Sequence, residues 1–201
     1  VLGKDLTKVE KVILRHFHSD HTGGLLKLRD TFKDINSKAF TKVYVARGFF
    51  NQRFTSEGTM EGPGNYAEAS RWKNDAEKLG INFIILDSHF EVARDIFATG
   101  TVARTVETYN GPSGLVIKDP QMDKFVPDII LDDQSAGMLT ANGWVMMSGC
   151  GHSGIINTAK KLQSIHDVPV YGAIGGFHLF NAPDVVIAVS YTHLTLPTML
   201  M

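Results

Sequence analysis

Four side chains able to bind a cation fall within six residues: His16-x-His18-x-Asp20-His21. Imidazole nitrogen and carboxylate oxygen hold zinc and its neighbours at about 2.0–2.2 Å, so such ligands must converge on a point. A tight turn from strand to helix achieves this. Alternate residues His16 and His18 face one point, and Asp20 and His21 face a second beside it. Two divalent metal ions follow, at the roughly 3.5–4 Å separation of paired hydrolytic centres. Thr22-Gly23-Gly24 suits the turn and lets backbone approach closely. A chain with 8 His yields this pattern by chance about once in a thousand. The competing reading, unrelated buried histidines without metal, is costly.

Three later stretches carry further candidates. Ser148-Gly149-Cys150-Gly151-His152-Ser153-Gly154 repeats the arrangement of strand, glycine-rich turn and helix, which makes His152 a further metal ligand. Cys150 reads either as a soft thiolate ligand or as a small packed residue. In Gly175-Gly176-Phe177-His178-Leu179, His178 could bind metal, hold a substrate anion or transfer a proton, since an unperturbed imidazole titrates near neutrality. Asp132-Asp133-Gln134 supplies paired carboxylates. One could bind metal, steady a ligand histidine or, at Asp133, contact substrate; solvated turn residues are the bland reading. Arg104 is a candidate anchor for a substrate anion, against a surface salt bridge. His89 and His166 lie outside any cluster and read as structural.

Elements that could position these residues are visible in the hydrophobic pattern. Val9 to Leu14 reads as a buried strand, residues 22–37 as a helix with Leu25, Leu26, Leu28 and Phe32 on its apolar face, and Val43 to Ala46 as a second strand. That order is an α/β pattern. Gly48 to Gly64 reads as a long surface loop whose three phenylalanines either cover an aromatic substrate or pack on the core. A helix over Tyr66 to Leu79 and a strand over Ile81 to Leu86 follow. From Val92 to Met147, short stretches at Thr101–Val106, Leu115–Lys118, Ile129–Leu131, Gly137–Thr140 and Trp144–Met147 read as an antiparallel meander. Ser153 to Ile165 returns to helical spacing, and Val168 to Tyr171 is a strand.

Composition narrows the function classes. The 201 residues carry 20 Lys+Arg against 21 Asp+Glu, so no basic field exists to hold nucleic acid or anionic lipid. The longest apolar runs fall far short of the roughly 18 residues of a membrane span. One cysteine excludes an intrachain disulfide framework and a four-thiolate zinc module. The expected partner is a small-molecule substrate; oligomeric state is unread. Val1 is not methionine, so the natural N-terminus is expected upstream, and cytoplasm is only the default compartment. Residues 189–201 resemble a translated sequencing adapter and are set aside as a non-native tail.

The run His16-x-His18-x-Asp20-His21-Thr22-Gly23-Gly24 resembles the motif of the metallo-β-lactamase superfamily. With Asp132-Asp133-Gln134, Gly149-Cys150-Gly151-His152-Ser153-Gly154 and Gly175-Gly176-Phe177-His178-Leu179, it is similar to the superfamily's dihydropteroate-synthase-like branch over residues 9 to 188. The resemblance implies an αββα sandwich over residues 1–188, truncated at both ends, with metal along one edge. It also implies that His16, His18 and His152 hold one metal and Asp20 and His21 the other, zinc first and manganese or iron as alternatives. Two departures stand out. A C-terminal His-Cys-Thr-Gly segment expected after residue 188 is replaced, and Gly176-Phe177-His178 stands where many members carry a bridging aspartate.

The implied activity is hydrolysis of a phosphate-bearing or ester-like substrate, with Asp20 orienting hydroxide and Arg104 and His178 placing an anion. Two alternatives are carried forward. One is a transferase condensing a dihydropterin pyrophosphate with an arylamine; the other is a metal-binding but inactive fragment.

Overall fold

The computed structural model describes residues 3–55, 60–61, 68–108, 114–119, 122–179 and 184. The stretch 189–201, expected to be an adapter-derived tail, lies outside them.

The first half builds a three-stranded parallel sheet in the order β1 (Lys11–Ile13), β2 (Lys42–Ala46), β5 (Asn82–Leu86). The period-2 alternation of a strand sorts its side chains to two faces. On β2, Val43 and Val45 join the core beneath helices α2 (Leu25–Phe32) and α3 (Ala69–Lys78), with Leu25, Trp72 and Ala76. Tyr44 points the other way, into a second core with Leu86, Val92 and Ala98.

That second core lies against a five-stranded sheet in the order β12 (Val170–Gly175), β11 (Gly143–Ser148), β10 (Ala136–Thr140), β7 (Ile96–Ala98), β6 (Phe90–Ala93). Its far face packs on α4 (Ile155–Ile165) through Trp144, Met146, Ile156 and Leu162. The layers therefore run helices, sheet, sheet, helix, which is the expected αββα sandwich.

Two sequence expectations are corrected. The loop over 48–64 contains strands β3 (Arg53–Thr55) and β4 (Met60–Glu61), which with β8 (Leu115–Asp119) and β9 (Lys124–Pro127) form a separate four-stranded antiparallel ribbon. Of its phenylalanines, Phe49 and Phe50 pack on the first core, and the partly buried Phe54 meets the exposed Phe125.

The meander is also divided between two sheets, and two of its predicted strands do not form. Thr105, Val106 and Glu107 turn their amides onto the Asn157 side-chain oxygen instead of a neighbouring strand. At Ile129–Leu131, Ile130 takes a left-handed backbone (φ 52), held by its amide donating to Asp128 Oδ1 at 2.8 Å. The Glu107 carboxylate in turn accepts the free amides of Ile156 and Asn157 at the start of α4.

Candidate metal centre

All three histidine-bearing segments leave the carboxyl ends of strands at one edge of the sandwich, the usual place for a ligand site in α/β proteins. After β1, Phe17 drives its ring into the aromatic core, T-shaped against Phe49 and Trp72 at 5.3 Å from each. Its neighbours are thereby turned outward, so His16 and His18 face the edge together with ring centroids 4.4 Å apart. The single helical turn α1 (Ser19–Thr22) then presents Asp20 and His21, closed by Thr22 Oγ1 donating to the His18 carbonyl.

The second segment follows β11 and the third follows β12, which run parallel with Ser148 opposite Gly175. Here glycine is required. A Cβ on Gly175 (φ +122) would lie 1.8 Å from the Ser148 carbonyl oxygen, so only a bare backbone permits the two loops to lie side by side. The Gly176 amide donates to the Gly149 carbonyl, and His152 and His178 meet at 4.3 Å between ring centroids. His152 also lies 4.7 Å from the His16 ring and 5.8 Å from that of His18.

Behind the cluster stands Asp132-Asp133-Gln134. Asp133 Oδ1 lies 3.1 Å from His16 Nδ1, and its Oδ2 accepts the Ser153 amide at 2.7 Å, which ties the first histidine segment to the second. A proton on Nδ1 facing Asp133 leaves Nε2 with its lone pair toward the edge. Asp133 is buried and both of its oxygens are engaged within the fold. Asp132 accepts the Phe17 amide at 2.9 Å and is gripped by Arg53, which also donates to Asp128 at 2.5 Å. Gln134 Nε2 donates to the Leu14 and Tyr44 carbonyls.

Burial shapes the electrostatics. It pushes the imidazoles of His16, His18 and His152 down to about 2, 4 and 3, with neighbouring histidines adding to the effect at all three and Arg53 at His16 and His18. These rings are neutral and able to donate a lone pair. The Cys150 thiol is pushed up to about 11 by burial, with the Asp20 carboxylate adding to it. Asp132 rises to about 6 for the same first reason, despite its contact with Arg53.

Among the described residues three donor groupings emerge, in each of which one ligand atom per residue lies within 4.8 Å of the others: His16, His18 and Asp20; His16, Cys150 and His152; Asp20, His21 and Cys150. His16 Nε2, His18 Nε2 and His152 Nδ1 are buried and without a hydrogen-bond partner. Buried polar atoms are ordinarily satisfied, so three orphans in one cluster fit a cation better than an empty polar cavity. His178, half-buried at φ 47, stands beside His152 and belongs to none of the groupings. Arg104 is half-buried, donates Nη2 to the Ile130 carbonyl and leaves Nε and Nη1 unpartnered.

Sequence reasoning missed Arg53 and Asp128, which carry no motif and meet across 75 residues of chain. It also left Cys150 open, although its sulfur is 3.1 Å from His21 Nε2.

No protein-family model matches the chain. The chain is 28% identical over 178 residues, 88% of its length, to 7,8-dihydropterin-6-methyl-4-(β-D-ribofuranosyl)-aminobenzene-5'-phosphate synthase of Methanocaldococcus jannaschii. It is also 28% identical over 173 residues to the uncharacterized protein MJ0448 of the same organism. It spans 58% and 59% of the lengths of these two relatives. Among solved structures it is similar to Tm1679, a metal-dependent hydrolase of the β-lactamase superfamily, with a TM-score of 0.72 and 22% identity over 97% of this chain and 68% of that one. The histidine-lined edge is therefore carried on the metallo-β-lactamase fold.

Proposed function

We propose that this chain forms the catalytic body of a metal-dependent hydrolase-type enzyme acting on a small, phosphate-bearing or ester-like molecule. The observation that carries the reading is the convergence of His16, His18 and His152 with three buried, unpartnered nitrogens at one strand edge. In this reading those three side chains hold one divalent cation, and Asp20 and His21 hold the second. A cation so held supplies Lewis acidity and lowers the pKa of water toward about 7.

The chain's own groups do the rest. Asp20, exposed at the mouth, accepts a hydrogen bond from the attacking water and orients it. Asp133 keeps His16 in one tautomer. The half-buried guanidinium of Arg104 supplies positive charge that draws an anionic substrate group toward the edge, and His178 exchanges a proton with that group.

A second reading, a transferase joining a dihydropterin pyrophosphate to an arylamine, is favoured by the name of the M. jannaschii relative. Zinc, manganese or iron suits either.

Metal analysis of the purified protein, followed by assay of a phosphodiester, a lactone, and a pterin pyrophosphate with an arylamine, separates these readings. The expected result is about two cations per chain, with hydrolysis falling at least about 100-fold in His16→Ala. Arylamine-dependent pyrophosphate release without hydrolysis would replace the first reading with the second. Bound cations with no turnover would replace both with a binding protein.

A further inference from the structure

The cysteine that flanks His152 has no part in the reading above, yet, like His16 and Asp20, it belongs to two of the three donor groupings found among the described residues. We propose that Cys150 is itself a metal ligand, its thiolate placed between the cation held near His16 and His152 and the one held near Asp20 and His21. The proposal rests on the cation-binding reading of the site and adds to it a ligand type and a cation preference.

The geometry has two independent parts. First, Cys150 Sγ lies 3.1 Å from His21 Nε2 and 3.6 Å from Asp20 Oδ2, so it stands among the donors of the helical turn α1. Second, His16 and His152, 0% and 1% exposed, group with the same sulfur while His16 Nε2 and His152 Nδ1 lack any partner. Because His16 Nδ1 is turned onto Asp133, its orphan nitrogen lies on the side of the cluster.

The backbone around the cysteine is also fixed. A Cβ on Gly149 would lie 2.7 Å from Arg15 Cγ and 3.0 Å from His21 Cε1, and Gly151 (φ +69) bears against Phe177. The loop is thus pressed toward His21 with the thiol at its tip. Among the described residues, Gly176 to Leu179 directly after β12 bring no carboxylate to this edge.

Chemically the step is a ligand exchange. The S–H bond breaks, its proton passes to solvent, and a sulfur–metal bond forms without change of oxidation state. A thiolate shared in this way selects thiophilic cations such as zinc, cobalt or cadmium over magnesium and manganese.

Cobalt(II) reports directly, and any sulfur-derived signal is unambiguous because Cys150 is the single cysteine of the chain. The metal-free protein loaded with cobalt(II) is expected to show a sulfur-to-cobalt charge-transfer band in the near ultraviolet. Cys150→Ser is expected to lose that band, keep the visible cobalt bands, and bind cadmium about 10- to 100-fold more weakly with manganese affinity unchanged. Zinc is also expected to protect the wild-type thiol from maleimide, a measurement that holds whether or not the variant folds. Stoichiometric cobalt without a charge-transfer band, and a thiol labelled equally fast with and without zinc, would overturn the proposal while leaving the cation site intact. A wild-type chain that binds no cobalt would overturn both.

Discussion

Two buried polar regions lie back to back at the edge of the sandwich, and they are finished differently. In the segment 128–134, the carboxylates of Asp128, Asp132 and Asp133 are all met by the chain itself, through Arg53, the amides of Phe17, Ile130 and Ser153, and the His16 ring. In the histidine cluster a few ångströms away, three ring nitrogens have no partner. Arg53 Nη1 and Gln134 Oε1 on the closed side also lack a partner, so the difference lies in the charges, which folding neutralises, against a set of converging neutral ring nitrogens, which it leaves open. A buried charge must be neutralised for the chain to fold, whereas a neutral imidazole nitrogen can be left open at a cost of roughly 1–3 kcal/mol each.

The contrast can be broken most strongly from the closed side. Arg53→Met leaves Asp128 and Asp132 buried without their counter-charge, and the expected loss is about 3–5 kcal/mol, read from urea unfolding. A loss below about 1 kcal/mol would show that the pair is not closed as described.

The open side is tested by acid. His16 and His152 titrate in the unfolded chain near 6.5 but only at about 2 and 3 in the fold, so below pH 6.5 the unfolded state binds more protons. Their contribution is complete above pH 6.5 and falls as the pH is lowered, by about 1.4 kcal/mol per unit for each ring. Metal-free protein unfolded in urea between pH 7 and 4 should show this slope, and saturating zinc should raise the whole curve while leaving its onset, which the unfolded chain sets, in place. An apo-protein of constant stability over that range would contradict the neutral, open cluster.

The junction between the two regions is Asp133. Asp133→Asn keeps the shape but weakens the hold on the His16 ring, and zinc affinity by competition with a chelator is expected to fall about 10- to 100-fold. As a baseline far from both regions, Glu77→Ala removes the exposed pair with Lys73 on α3 and should cost about 0.3–0.5 kcal/mol with zinc binding unchanged.

What could be read in advance divides along similar lines. The α/β opening, helix α4 and the metal-ligand candidates are legible because each is local: a period of hydrophobic residues, or ligand types packed into six positions. The ribbon of β3, β4, β8 and β9 is not, since Arg53–Thr55 is short and its partner strand lies some 60 residues on. The false strand at 101–106 has suitable side chains, but the Asn157 oxygen takes its amides, and nothing near it in sequence says so. Arg53 is silent for the same reason. Asp132 and Asp133 carry enough local pattern to be noticed, but their internal partners, the Phe17 amide, the His16 ring and the Ser153 amide, come from distant segments that only the fold brings together.

Arg53 belongs to the peripheral ribbon, yet its guanidinium holds the carboxylate that in turn holds the peptide between His16 and His18. Any force that shifts the ribbon against the body of the molecule is relayed through two links to the spacing of those rings. The ribbon is thus mechanically a handle on the edge it does not itself form.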